Sequence, residues 1–213
     1  PHAQFQLYFG PDPDVSLAWL RVYGCDAVAV SGPASDEVYK PVSHPRKFEG
    51  VLPVLWRQDD VTIYEVPRRS RSLAHVIRRD DLAPRRPEYA NQVEDLRPLL
   101  AALEDPDLPE ARFEWKGTAA ARISAELRPE HLLAVQVSWH PGWAARIRGE
   151  SRKVWGDKLG LTIVEPRCSG PCEIELSYDG GLEMKAVRLL SWGAFLAGAG
   201  LTGAGLLRRR PAR

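Results

Sequence analysis

Residues 120–147, AARISAELRPEHLLAVQVSWHPGWAARI, decide how the second half of this chain is built. Within them ARISAEL (121–127) alternates apolar and polar side chains, the two-residue period of a strand with one buried face. Pro129-Glu130 interrupts the pattern, Leu132–Trp139 resumes it, and His140-Pro141-Gly142 breaks it again before Ala144–Ile147. Working outward, Ala111–Lys116 precedes this block, and Leu161–Glu165 and Glu173–Tyr178 follow it. Gly149, Gly156, Ser169-Gly170-Pro171 and Asp179-Gly180-Gly181 supply the intervening turns. Short strands at this spacing predict an antiparallel β-sandwich over residues 108–187.

Residues 1–72 predict a small α/β unit. Ala3–Phe9 reads as an extended segment, and Asp14 as the N-cap of a helix over Val15–Tyr23. Gly24 ends that helix, and Asp26–Val30 (DAVAV) follows as a buried strand. Ser35 is placed to cap a short helix through Tyr39, and Gly50–Trp56 and Val61–Val66 flank Gln58-Asp59-Asp60 as a hairpin. Between the two units, 73–107 reads as a linker and helix. Its arginines and prolines form part of a solvated stretch from Arg68 to Pro87, and a leucine-rich helix over 91–104 begins properly at Pro98. The fold class expected is therefore α+β: an α/β unit, then a β-sandwich, then one further element at the C-terminus.

That element is LLSWGAFLAGAGLTGAGLL, residues 189–207, which carries no charge. At about 1.5 Å per helical residue it spans roughly 28 Å, near the thickness of a bilayer core. Arg188 stands before it and Arg208-Arg209-Arg210 after it, so residues 188–207 read as a transmembrane helix and 208–213 as a basic cytoplasmic tail. Its five glycines weaken a helix in water, whereas in lipid pairs such as Gly193/Ala197 and Gly200/Ala204 let helices approach closely. The expected location is a membrane, with the body outside the cytoplasm, in the periplasm or on the cell surface. The 213-residue chain has 44% hydrophobic and 27% charged residues and a net charge of +1, which excludes wholesale disorder and general nucleic-acid binding. Five of its 29 basic residues and none of its 28 acidic ones lie beyond Lys185, so the body is mildly acidic. The one methionine is Met184 and the sequence opens at Pro1, so the chain reads as a piece of a longer one.

Val135–Ala145 (VQVSWHPGWAA), with Gly149, Val154, Asp157, Gly160 and Val164 after it, then Gly170, Glu173–Leu176, Tyr178-Asp179 and the apolar run, resembles the C-terminal extracytoplasmic region of YfhO-like bacterial multi-pass membrane proteins. Leu20–Val30 looks like that family's leucine-rich helix, glycine and valine strand, and Val61–Pro67 like a further strand of it. The resemblance covers most of the chain, on short and mostly structural motifs. It implies kinship with membrane glycosyltransferases of GT-C architecture, which transfer a sugar from a polyprenyl-phosphate donor. In those enzymes the catalytic acid lies in an early extracytoplasmic loop that nothing in this chain matches. The implied partners are the membrane, upstream transmembrane helices of the same protein, and a glycan or lipid-linked sugar.

The residues themselves offer few sites. Trp139, His140 and Trp143 form the best candidate for ligand contact, because an indole face stacks on the C–H face of a sugar and an imidazole bonds a hydroxyl; core packing is the competing reading. Asp157, beside Trp155, is a second candidate of the same type. Cys168 and Cys172 enclose Ser-Gly-Pro at a C-x₃-C spacing, which suits a structural disulfide in an oxidising compartment better than a redox pair or a metal site. Cys25 reads as a buried, unreactive thiol. No catalytic residue, metal ligand set or cofactor motif emerges: there is no H-E-x-x-H, no G-x-S-x-G, and the pairs Asp59-Asp60 and Asp80-Asp81 are adjacent residues that point to opposite faces when extended. The expected function is the non-catalytic end of a glycosyltransferase-like membrane protein, stabilising it or seating a glycan acceptor. The alternative is a single-pass anchored module that binds a glycan or a protein.

Overall fold

The computed structural model describes residues 2–32, 34 and 42–208, with the side chains of residues 2, 3, 182, 185 and 197–208 excepted. The short helix expected from Ser35 and the tail from residue 209 lie outside the described residues. Within them the architecture is mixed α and β, with a small three-stranded sheet and a large eight-stranded one.

The chain begins with α1 (His2–Phe9), not with an extended segment. Its C-terminal turn is held by groups distant in sequence. Lys47 Nζ donates to the carbonyls of Gln6, Leu7 and Gly10 at 2.7, 2.7 and 2.9 Å, and Ser16 Oγ donates to Gln6 O at 3.1 Å. Those contacts satisfy carbonyls that every helix end leaves orphaned. The next helix, α2 (Pro13–Val22), is capped by Asp12 in place of Asp14: Asp12 Oδ1 accepts from Asp14 N at 2.8 Å, and Pro13 takes the first turn, where no N–H is needed. At Gly24, φ is +71°, which ends the helix and turns the chain into β1 (Ala27–Ser31). The expected hairpin forms from β2 (Val54–Gln58) and β3 (Val61–Glu65), and β3 lies between the other two strands. Leu20, Val28, Val30, Phe48, Leu52, Tyr64 and Val66 make the core of this unit.

The large sheet contains β4 (Ala74–Ile77), β5 (Ala111–Trp115), β6 (Ala120–Leu127), β7 (Leu132–Ser138), β8 (Trp143–Ile147), β9 (Glu150–Gly156), β10 (Leu161–Glu165) and β11 (Gly170–Tyr178). Its order is β4-β7-β10-β9-β8-β11-β6-β5, antiparallel at every pairing. The expected β-sandwich is therefore one continuous sheet. Its β8–β9 hairpin pairs on one side with β11 and on the other with β10, and so joins into one ladder the strands that a sandwich would divide between two layers. The sheet curls until its edge strands β4 and β5 touch, which makes it nearly a barrel.

Two strands were not expected. In β4, four buried residues (Ala-His-Val-Ile) lie within the arginine- and proline-rich stretch read as linker, and β9 (ESRKVWG) is too polar to show alternation. Burial follows position in the wall. In β11 only Cys172, Ile174 and Leu176 are buried, on the inner face. By contrast β4 is buried throughout, and β7 from Leu132 to Gln136, because α2 and α3 (Arg97–Glu104) cover them from outside with Trp19, Val22, Leu99 and Leu103. Since α2 also gives Leu20 to the small core, it joins the two units.

The last element is α4 (Gly181–Arg208). Among the described residues no helix is long and apolar enough to cross a membrane, so the expected span over 188–207 is not supported at this level. The side chains of its second half, those of Ala197 and Ala204 among them, lie outside the described ones.

Candidate functional site

The sheet order dictates the conformation of the Trp139–Trp143 segment. It must carry the chain from β7 to β8 across the ends of β10 and β9, whose own turn (157–160) is at the same end. The arch fits because residue 156 is glycine: a Cβ there would lie 2.8 Å from Trp139 Cδ2, so the indole lies directly on the backbone. Trp139 N donates to Gly160 O at 2.9 Å, and Trp143 Nε1 donates to Ser138 O at 3.2 Å, closing the arch at its base.

Two of the three predicted aromatics belong to a cluster against Tyr178 at the end of β11. His140 and Trp143 have ring centroids 5.3 and 5.1 Å from that of Tyr178, at 66° and 55°. Gly142 N donates to His140 Nδ1 at 3.0 Å, so in the neutral ring the proton is on Nε2. Behind this cluster the arch touches the first residues of α4. A Cβ on Gly142 would lie 2.7 Å from Gly181 N and 2.9 Å from Gly180 C. Asp179 N donates to Gly142 O at 3.0 Å, and Asp179 Oδ1 accepts from Gly181 N at 2.8 Å. The turn nominated from sequence for ligand contact, with core packing as the competing reading, thus also holds the root of α4. Trp139, 42% exposed, is the member that keeps a free face.

Asp157 stands in the turn next to the arch, but its carboxylate is turned to that turn's own backbone. Its Oδ1 accepts from Leu159 N and Leu161 N at 2.9 and 2.8 Å, which shapes the β9–β10 turn. Burial raises its pKa, against the pull of those N–H donors. It lines a cavity of about 220 Å³ with Trp19, Tyr23, Arg86, Pro87 and Lys158. There Tyr23 stacks on Trp19 (6.0 Å, 12°) and donates its hydroxyl to Leu159 O at 3.1 Å. Burial and then the Asp157 charge push the phenol pKa up.

Cys168 and Cys172 form a disulfide with Cα atoms 6.5 Å apart, across the loop that leads into β11. It borders a polar groove of about 550 Å³ lined by Arg148, Arg152, Arg167, Glu150 and Glu173. Cys25 is a free, half-buried thiol whose pKa burial pushes up. Among the described residues no three His, Cys, Asp or Glu side chains are grouped to hold a metal.

Sequence reasoning missed a buried polar network between the two units. Gln136 Nε2, on β7, donates to Arg21 O and Val22 O at the end of α2, at 2.8 and 3.0 Å. That orientation leaves Oε1 to accept from Arg68 Nη1 (3.1 Å) and His75 Nε2 (3.2 Å). Arg68 in turn pairs with Asp26 at the start of β1. A glutamine inside the apolar run LLAVQVS was the available signal, since a buried amide must find partners. Gly24 leaves room for it, because a Cβ there would fall 2.9 Å from Gln136 Cδ.

Comparison with family models, curated proteins and solved structures finds no match to this chain.

Proposed function

We propose that this chain is a non-catalytic, membrane-anchored extracytoplasmic module that holds a C-terminal membrane helix in fixed relation to a barrel-like body. The observation that carries this reading is the exterior of α4. Leu189, Leu190, Trp192, Phe195 and Leu196 are between 65% and 75% exposed, and at 100° per residue they face most directions around the axis. A helix that is apolar all round requires an apolar surrounding on every side. The uncharged run continues to Leu207 and ends at three arginines, which favours a bilayer with the tail on the cytoplasmic side. The Cys168–Cys172 disulfide is in keeping with a body on the oxidising side. The resemblance to YfhO-like proteins suggests that such a module ends a multi-pass protein. If that parent transfers lipid-linked sugars, its chemistry lies outside this chain, and this part stabilises it or helps seat the acceptor glycan.

The test is fractionation and labelling of the full chain in a bacterial host, with Glu130→Cys introduced on a Cys25→Ala background. The expected result is retention in the membrane after alkaline carbonate extraction, with the thiol introduced at position 130 labelled by an impermeant maleimide in spheroplasts. Release by carbonate, or labelling only after lysis, overturns the reading. A second reading, an anchored glycan-binding module, draws on a groove of about 760 Å³ rimmed by the exposed rings of Phe5, Phe9 and Tyr89. Loss of glycan retention in Tyr89→Ala with unchanged stability would favour it.

A further inference from the structure

The strand register places several exposed side chains at one end of the large sheet, the end from which α4 departs. Trp115 at the end of β5 pairs with Ala121 near the start of β6, Leu176 near the end of β11 pairs with Ala121 and with Ala145 of β8, and Leu161 at the start of β10 pairs with Ser138 at the end of β7. The β5–β6, β7–β8 and β9–β10 turns and the end of β11 therefore share one rim. On it Trp115, Trp139 and Tyr178 are 45%, 42% and 36% exposed, and Met184 in the first turns of α4 is 46% exposed. Interleaved with them are the exposed cations Lys116 and Lys158, with Arg188 one turn farther along α4. Acids share this end: Asp157 and Asp179 accept from backbone N–H groups, Glu114 pairs with Lys116 at 2.8 Å, and Glu183 lies in the first turn of α4.

We propose that this rim is seated in the headgroup layer of the membrane, with Trp115, Trp139, Tyr178 and Lys158 among the headgroups and Arg188, about 10 Å farther along α4, at the inner boundary of that layer. Indole and phenol rings are apolar bodies with one polar edge, which suits them to that layer, and long Lys and Arg side chains can reach phosphate oxygens from it. The seating follows from the joint described above. Because Gly142 packs against Gly180 and Gly181, the root of α4 is fixed to the arch, and a helix that enters the bilayer there brings the rim down with it. The opposite end, with the β6–β7 turn at Pro129-Glu130 and the β8–β9 turn at Arg148-Gly149, is then held away from the membrane. This inference rests on the anchoring reading.

The experiment keeps the two apart. Single cysteines are introduced on the Cys25→Ala background at Thr118 and Pro141 on the rim, Glu130 at the far end and Leu196 in α4. Each full-length variant is spin-labelled and reconstituted into phosphatidylcholine–phosphatidylglycerol vesicles, and its accessibility to oxygen and to a water-soluble nickel chelate is read by power saturation. The inference expects labels at 118 and 141 to be shielded from nickel several-fold relative to 130, at a depth shallower than 196. If 118 and 141 are as open to nickel as 130 while 196 is in lipid, the rim stands clear of the membrane and the inference is overturned with anchoring intact. If 196 is itself open to nickel, anchoring fails and the rim proposal falls with it.

Discussion

Replacing Gly142 with Ala tests the claim that the Trp139–Trp143 arch is a joint. The added methyl would lie 2.7 Å from Gly181 N, 2.9 Å from Gly180 C and 3.0 Å from Gly180 N. Carbon contacts are optimal at about 3.5–4.0 Å, so all three approaches are repulsive, and all three partners are backbone atoms without a rotamer to change. Either α4 moves outward, breaking the Asp179 N to Gly142 O bond, or the arch lifts from Gly156. Forced insertion of one methyl group into a packed site costs about 1–3 kcal/mol. For the full chain in detergent, followed by tryptophan fluorescence, a urea slope of about 2 kcal/mol/M turns this into a midpoint lowered by about 0.5–1.5 M. Gly181 has φ +67°, so Gly181→Ala is destabilising by itself, and because its Cβ position is 3.5 Å from Gly142 N the two substitutions should be non-additive. An unchanged midpoint in Gly142→Ala, or strict additivity in the double variant, would refute the contact and the function assigned to the arch.

Trp143→Ala removes an indole that packs against the core, Tyr178 and Ser138 O, and should lower stability by about 2–4 kcal/mol, whereas Trp139→Ala, with its exposed face, should cost under about 1 kcal/mol; equal losses in urea melts would contradict these assignments. Burial lowers the pKa of His75, so the folded state binds fewer protons than the unfolded one below pH about 6.5. Its contribution is complete above that value and is lost as the pH falls through the folded-state pKa; His75→Gln should flatten the pH dependence of the melting temperature between pH 7 and 5, and an undiminished slope would exclude His75 as its source. Thiol titration under denaturing conditions should find one reactive thiol before reduction and three after it. Because the bridge closes only a five-residue loop, reduction should cost about 2 kcal/mol, and no change in stability would show that the loop ordering is independent of the bond.

Much of the fold was legible where side chains alternate locally. The ARISAEL and EIELSY segments form β6 and β11 because one exposed and one buried face leaves a two-residue period in sequence, and VTIYEV forms the central strand of the small sheet. Polar β9 and linker-like β4 left no such mark: no residue of β9 is fully buried, and every residue of β4 is. The helical state of Ala3–Phe9 is hidden from local sequence for another reason: the groups that satisfy its helix end, Lys47 and Ser16, lie far along the chain.

The candidate site divides in the same way. Sequence could nominate Trp139, His140 and Trp143 by residue type and turn spacing, and it could mark 189–207 as a run that no aqueous surface would favour. By itself it determined the strand-rich second half, the helix–glycine–strand opening and the charge asymmetry of the tail. Only the tertiary structure decided that the strands make one curled sheet, because pairing of β8–β9 with both β10 and β11 depends on partners distant in sequence. It alone decided that the aromatic turn grips the root of α4, and that Gln136 bonds Arg68, His75 and the end of α2. Local patterning records which face of a segment avoids water; it carries no record of which other segment covers that face.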